Sequence, residues 1–214
     1  RDSSTSRGLG DVYKRQGMVE LSSIDKDAAI LYTINKGKKA KQYTEPISMR
    51  DGGTVTAWFA NNPSIKTTTT FKKLETIQTE VIYASSEEVG DGDAKNLVDG
   101  DPATYWHSMY SVTVAKYPHW VDLDAGEVKT IKGFTYMPRQ DSYNGNVKEY
   151  TIHVSMDGKN WGEPVQKGTF AGNRDEKKVI FSQPVKGRYI RFTALSEQYG
   201  QDYASGAELT ILAE

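Results

Sequence analysis

Residues 105–120, YWHSMYSVTVAKYPHW, carry two Trp, two His and three Tyr, in a chain of 214 residues with only four Trp and three His. Three chemistries could account for that density: a buried core, a catalytic histidine, or an aromatic platform for a sugar. A galactose-type sugar offers a C–H patch to an aromatic ring. Its hydroxyls need directional partners, because buried polar groups must be paired. Arg supplies a rigid fork of donors, Asn a donor and an acceptor, and His either one according to tautomer. One His, one Arg, one Asn and one ring on converging loops would suffice. His107 follows the acidic turn VDGDPAT, Arg139 sits just past the run TIKGFTYMP, and Asn144 lies in the loop RQDSYNGN.

The acidic turn NLVDGDPAT (96–104) places Asp99, Asp101 and Thr104 around a Gly-Pro pair. A hard cation such as calcium takes about six to eight oxygens. A tight turn can aim a carboxylate, a hydroxyl and several carbonyls at one point. The spacing is not that of an EF-hand, and on the residues alone a plain Asp-Gly turn is the favoured reading. Asp91 and Asp93, in VGDGDAKN, are read as a solvated loop. Trp106, Trp120 and Trp161 are assigned to packing, and His119 and His153 receive no binding role.

Composition narrows the classes. Lys and Arg total 27 against 28 Asp and Glu, a net charge of −1, so nothing pulls the chain generally toward nucleic acid or an anionic membrane. No Cys is present, which removes disulfides, thiolate metal sites and Cys nucleophiles together. No apolar run approaches the roughly 20 residues that span a bilayer. There is no G-x-S-x-G elbow, H-E-x-x-H helix or phosphate-binding loop. Asp and Glu are plentiful, yet no pair is singled out as the two carboxylates that glycoside hydrolysis requires.

The elements that must position these residues read as all-β. Residues 1–16 are polar and aperiodic and are set aside as a flexible or non-native tail. Residues 17–75 hold short strands, among them MVELSS, AAILYTIN, TVTAWFA and TTTTFKKL, with turn chemistry at Asn35-Lys36-Gly37 and Asp51-Gly52-Gly53. Residues 76–214 hold strand candidates at 79–86, 119–126, 130–138, 147–158, 177–185, 187–195 and 207–214. Gly, Pro, Asn and Asp separate them, and no run is a three-turn amphipathic helix. That spacing is the mark of a β-sandwich or jelly roll.

In register from about residue 79 to the end run NLVDGDPATYWHS, PHWVDLDAGEVKTIKGFTYMPRQ, VKEYTIHVSMDGKNW, VKGRYIRFTALSE and YASGAELTIL. Together they resemble the F5/8 type C, or discoidin, domain, and within it a family 32 carbohydrate-binding module. The run ILYTINKG…YTEPISMRDGGTVTAWFA resembles the small immunoglobulin-like domain on the C-terminal side of bacterial chitobiases and β-hexosaminidases. The resemblance implies a small immunoglobulin-like β-sandwich followed by a discoidin-type jelly roll. It assigns His107, Arg139 and Asn144 to sugar hydroxyls, Tyr203 to stacking, and Tyr110 to a second platform. It implies a structural calcium held by carbonyls of Asn96, Asp101 and Ala207, by carbonyl and hydroxyl of Thr104, and by carboxylates of Asp99 and Glu208.

The expected function is thus non-catalytic. The chain would bind a glycan with a terminal galactose or N-acetylgalactosamine-type sugar and target a secreted bacterial glycosidase, such as an α-L-fucosidase or β-hexosaminidase, whose catalytic domain lies elsewhere in the parent chain. A secreted, periplasmic or cell-surface location follows from the same resemblance. The alternatives are a phospholipid- or protein-binding discoidin adhesion domain, and a part of the glycosidase that contributes directly to catalysis. Nucleic acid is not an expected partner, and a membrane ranks below a glycan because the loop MYSVTVAKYP carries only Lys116 as a charge.

Overall fold

The computed structural model describes residues 10–13 and 17–214. The chain divides into two compact units, with the division between Leu74 and Glu75.

The first unit holds β1 (Gly10–Tyr13), β2 (Met18–Ser22), β3 (Ile30–Ile34), β4 (Lys41–Gln42), β5 (Ile47–Ser48), β6 (Gly53–Phe59) and β7 (Asn62–Phe71). They form two sheets, β1-β2-β5 and β4-β3-β6-β7. Val19, Leu21 and Ile47 from one share a core with Ile30, Val55, Ala57 and Phe71 from the other. Alternation in β6 makes this possible. Val55 and Ala57 turn inward, while Thr56 bonds Thr68 across the strands at 2.8 Å. β1 corrects part of the tail reading: its residues pair with β2, from Gly10↔Ser22 to Tyr13↔Val19. A polar run without an apolar face still gains backbone hydrogen bonds from an open sheet edge. Residues 1–9 and 14–16 lie outside the described residues.

The second unit holds β8 (Thr76–Ile77), β9 (Glu80–Ala84), the 3-10 turn η1 (Ala94–Val98), β10 (Trp106–His107), β11 (His119–Met137), β12 (Glu149–Ser155), β13 (Gln166–Thr169), β14 (Lys177–Ala194), β15 (Ser205–Gly206) and β16 (Glu208–Ala213). The main sheet runs β13-β12-β14-β11-β16-β8, with β9 also on β11. Four runs read from the sequence as separate strands are two long ones here. β11 and β14 stay paired through register breaks at Asp124/Lys129 and Ile131/Gly133. The breaks let the sheet fold over itself, since bulges bend a strand without ending its ladder. The first part of β11 then lies between β9 and the end of β14, and its last part between the start of β14 and β16.

Aromatic rings fill the space between the two layers. Phe134 of β11 meets Tyr150 of β12 at 5.4 Å and Phe192 of β14 at 6.1 Å. Tyr136 stacks on Phe170 at 5.1 Å and on Phe192 at 5.6 Å. Such pairs add to the burial of large apolar area. Strand alternation again decides who enters: Ile190, Phe192 and Ala194 are buried, and Tyr189, Arg191 and Thr193 between them are not. Trp106 is fully buried in this core. Trp120 and Trp161 pack outside this core, because alternation turns Trp120 away from buried Val121 and Leu123. Both rings flank Arg191 on the outer face, which in turn pairs with Asp122 at 2.7 and 2.8 Å.

Candidate functional site

Two short strands build the site. β10 and β15 pair antiparallel, Trp106↔Gly206 and His107↔Ser205. The pleat sends Trp106 into the core, where its indole donates to the Ser86 carbonyl at 2.9 Å, and sends Tyr105 and His107 to the opposite side. Gly92 backs His107 closely. A Cβ there would stand 2.7 Å from the His107 Cβ, and the His107 amide donates to the Gly92 carbonyl at 3.1 Å.

His107 is 2% exposed. Its Nδ1 lies 2.6 Å from the Ser108 carbonyl oxygen. A carbonyl only accepts, so Nδ1 carries the proton and Nε2 keeps a lone pair. Burial pushes the imidazolium pKa down, and the positive charge of Arg139 acts in the same direction, against the Ser108 bond and the charges of Asp91 and Glu88. The ring is neutral at pH 7 and acts as an acceptor.

Three rings gather here. His107 meets Tyr110 edge-on at 4.9 Å and Tyr203 at 5.3 Å, and the two tyrosines stand 6.5 Å apart at 77°. They form no parallel clamp, so a sugar would lie on one face and not between two. Tyr203 is placed from behind by residues the sequence reading left out of the site. Tyr117 Oη donates to the Tyr203 carbonyl at 2.5 Å, and His119 Nε2 donates to the Asp202 carbonyl at 2.7 Å.

Arg139 adds the donors. Its guanidinium lies 3.7 Å above the Tyr105 ring and makes a forked bond to Asp141 at 2.6 and 3.2 Å. Asn144 reaches the same place through its backbone: Ser205 Oγ donates to the Asn144 carbonyl at 2.6 Å, and the Ser205 amide to the Gly145 carbonyl at 2.9 Å. Gly145 has φ +80°, and a Cβ there would stand 2.6 Å from the Ser205 nitrogen. Gly145→Ala is therefore expected to cost about 1–3 kcal/mol of stability and to displace Asn144. A melt paired with a sugar titration checks both effects.

Asp91 lies on an exposed turn, as the sequence reading has it, and there it has partners that reading did not foresee: it accepts from Tyr110 Oη at 2.6 Å and lies 3.4 Å from Tyr105 Oη. That bond holds the Tyr110 hydroxyl pKa up, at about 12. Glu88 was also missed. It accepts from the Tyr110 amide at 2.8 Å, the Ser111 amide at 3.1 Å and the Ser111 hydroxyl, which together lower its own pKa. The one signal available was the alternation of Tyr105 and His107 about an inward Trp.

The acidic turn folds back on itself. Asp99 accepts from the Asp101 amide at 2.9 Å and from Thr104 Oγ1 at 2.5 Å, and Thr104 Oγ1 also lies 3.0 Å from the Asp101 carbonyl. Asn96 donates to the Tyr105 carbonyl at 3.0 Å. η1 packs against β16, whose first residue, Glu208, is 4% exposed and follows Ala207. No group of three or more His, Cys, Asp or Glu suited to a metal occurs among the described residues. The donors that the resemblance names are carbonyls, a hydroxyl and two carboxylates, an all-oxygen set of the kind a hard cation such as calcium takes.

The F5/8 type C domain matches residues 81–209, more than half of the chain. The chain belongs to the F5/8 type C family. A sialidase of Micromonospora viridifaciens is 39% identical over 172 residues, 78% of this chain and 26% of the sialidase. The chain thus spans about a quarter of that relative's length. Two solved structures from Clostridium perfringens are also similar. One, a CBM32 module in complex with GalNAc-β-1,3-galactose, has a TM-score of 0.59 and 32% identity, over 64% of this chain and 99% of the module. The other, a family 32 module in complex with galactose, has a TM-score of 0.57 and 28% identity, over 64% and 97%. The F5/8 type C unit has the fold of a carbohydrate-binding module.

Burial lowers the pKa of all three histidines, His107, His119 and His153. The folded F5/8 type C unit then binds fewer protons than the unfolded chain. Stability present above the unfolded value of about 6.5 is lost as pH falls through the lower folded values. The melting temperature is expected to be lower at pH 5 than at pH 7. Part of that drop should vanish in His119→Gln, whose amide can still donate to the Asp202 carbonyl.

Proposed function

We propose that this chain is a non-catalytic module that binds the terminal galactose- or N-acetylgalactosamine-type residue of a glycan and keeps a secreted glycoside hydrolase near it. The observation that carries the reading is one juxtaposition. Neutral His107, an acceptor, and Arg139, a donor, lie with Asn144 beside the rings of Tyr110 and Tyr203. A sugar hydroxyl can donate to His107 Nε2 and accept from the guanidinium. Tyr110 and Tyr203 offer ring faces to the C–H patch. Asp91, by fixing the Tyr110 hydroxyl, lowers the entropy lost when a ligand settles there.

Calcium, when bound, would supply fixed positive charge that ties the 96–104 turn to the start of β16. Asp99, Glu208, Thr104 and the carbonyls of Asn96, Asp101 and Ala207 would hold it. Its role here is positional, since the turn leads directly into Tyr105 and His107. The names of the similar modules, with galactose and GalNAc-β-1,3-galactose as their ligands, support the choice of sugar. The hydrolase, α-L-fucosidase or β-hexosaminidase type, and a secreted or cell-surface location rest on the family resemblance. Linking binding to catalysis raises the effective concentration of glycan.

A glycan array run with and without calcium tests the proposal. Signal confined to terminal galactose-type residues is expected. Signal on phospholipid vesicles with none on the array would overturn it in favour of an adhesion domain, and turnover of labelled galactosides blocked by a His107 change would make the chain an enzyme.

A further inference from the structure

We propose that Tyr199 and Tyr143, with Arg174, form a second subsite that takes the sugar linked to the terminal residue, so that the module reads a neutral disaccharide end. The proposal rests on the terminal-sugar reading above. Tyr143 directly precedes Asn144, and Tyr199 lies on the loop that ends in Tyr203. Each loop therefore gives one residue to the first site and, within a few residues, one ring to the second. The loops are zipped together: Asn146 pairs with Ser205 and Val147 with Glu197, and the Gln198 amide donates to the Asn146 carbonyl at 2.9 Å.

The two rings meet edge to face at 6.2 Å and 89°. Tyr143 is 44% and Tyr199 62% exposed, and neither belongs to the core. Their positions are nonetheless held. Arg174 lies 4.5 Å over the Tyr143 ring, its Nη1 donates to the Gln140 carbonyl at 2.6 Å, and Gln140 returns a bond to the Arg174 carbonyl at 3.0 Å. Glu197, itself buried, fixes the other loop by accepting from the Tyr199 and Gln201 amides, each at 2.9 Å. One face of Tyr143 is taken by the guanidinium. The exposed Tyr199 ring is the free platform, and beside it stands the Tyr143 ring with Arg174 over one face. Arg139 and, to a smaller degree, Arg174 hold the Asp141 carboxyl below its ordinary range, so a carboxylate already answers the cation. An uncharged pyranose suits that balance better than an anionic one.

Calorimetric titration of the full chain tests this with two matched pairs: galactose against lactose, and N-acetylgalactosamine against GalNAc-β-1,3-galactose. At least one disaccharide is expected to bind about fivefold tighter than its monosaccharide, the scale of one stacking contact. Tyr199→Ala and Tyr143→Ala should bring it down to the monosaccharide level and leave monosaccharide affinity unchanged. Tyr199→Phe, which keeps the ring, should retain the advantage. Equal binding of both members of each pair by the unaltered chain overturns the subsite alone. So does an advantage that survives both alanine changes, or a loss that falls equally on the monosaccharide. Failure of the unaltered chain to bind any of the four sugars overturns the terminal-sugar reading and the subsite with it.

Discussion

Arg139→Ala is expected to weaken binding of a galactose-type monosaccharide by about 10- to 100-fold, the cost of one or two hydrogen bonds to a charged donor. His107→Ala and Asn144→Ala should act in the same direction, and the triple change should leave no measurable binding. Their effects on the fold differ. Asn144 is exposed, so its replacement leaves the melt unchanged. Arg139 is half-buried, but its partner Asp141 reaches solvent, so little stability goes with it. His107 is enclosed by Tyr110, Tyr203 and Gly92, and its removal opens a gap. At His107 the cost is larger, on the order of 1–3 kcal/mol, because the deleted ring leaves the Ser108 carbonyl without its donor. Titration calorimetry beside thermal melts separates the two effects. Unchanged affinity in the triple variant would show that the sugar binds elsewhere.

The second large effect concerns calcium. At free calcium near a hundred times its dissociation constant, a single site stabilises the fold by about 2.7 kcal/mol. For a unit of this size that is roughly 8 °C in melting temperature. Excess chelator should remove the shift. Asp99→Ala and Glu208→Gln should each abolish the calcium dependence, and the difference between melts with and without the ion is the quantity to compare. A melt indifferent to both chelator and calcium would argue that the turn is held by its own hydrogen bonds, Thr104 to Asp99 among them.

How much of this was legible in the sequence depends on length scale. Strands with several alternating residues, such as the run containing Ile190, Phe192 and Ala194, announce themselves because burial follows a period of two. β10 and β15 have two residues each and no period to detect. His107 and Asn144 could be named from their types, but their shared anchor, Ser205, could not. Its hydroxyl is one small donor among many until the fold sets it on the Asn144 carbonyl. The partner of Asp91 was hidden for a related reason. An acid in a Gly-rich loop reads as solvated, and only tertiary contact with Tyr110, 19 residues on, gives it a partner. The join of four expected strands into β11 and β14 was hidden because Pro184 and the Gly126 turn look like strand ends, yet pairing resumes beyond them.

The β10–β15 pair has a consequence for how the protein matures. Beside it, the Ala204 amide bonds Ser108 Oγ across 96 residues of chain. Contacts so distant in sequence form slowly, because loop-closure entropy must be met before they give any return. The ladder between β12 and β14 joins nearer stretches and can form without the last strands. A chain caught part-way can thus own most of its sandwich and still lack the candidate site, since His107, Asn144 and Tyr203 are aligned only when Ser205 arrives. On the proposed reading, sugar capture would then serve as a gauge of complete folding, one that strand content measured by circular dichroism would not replace.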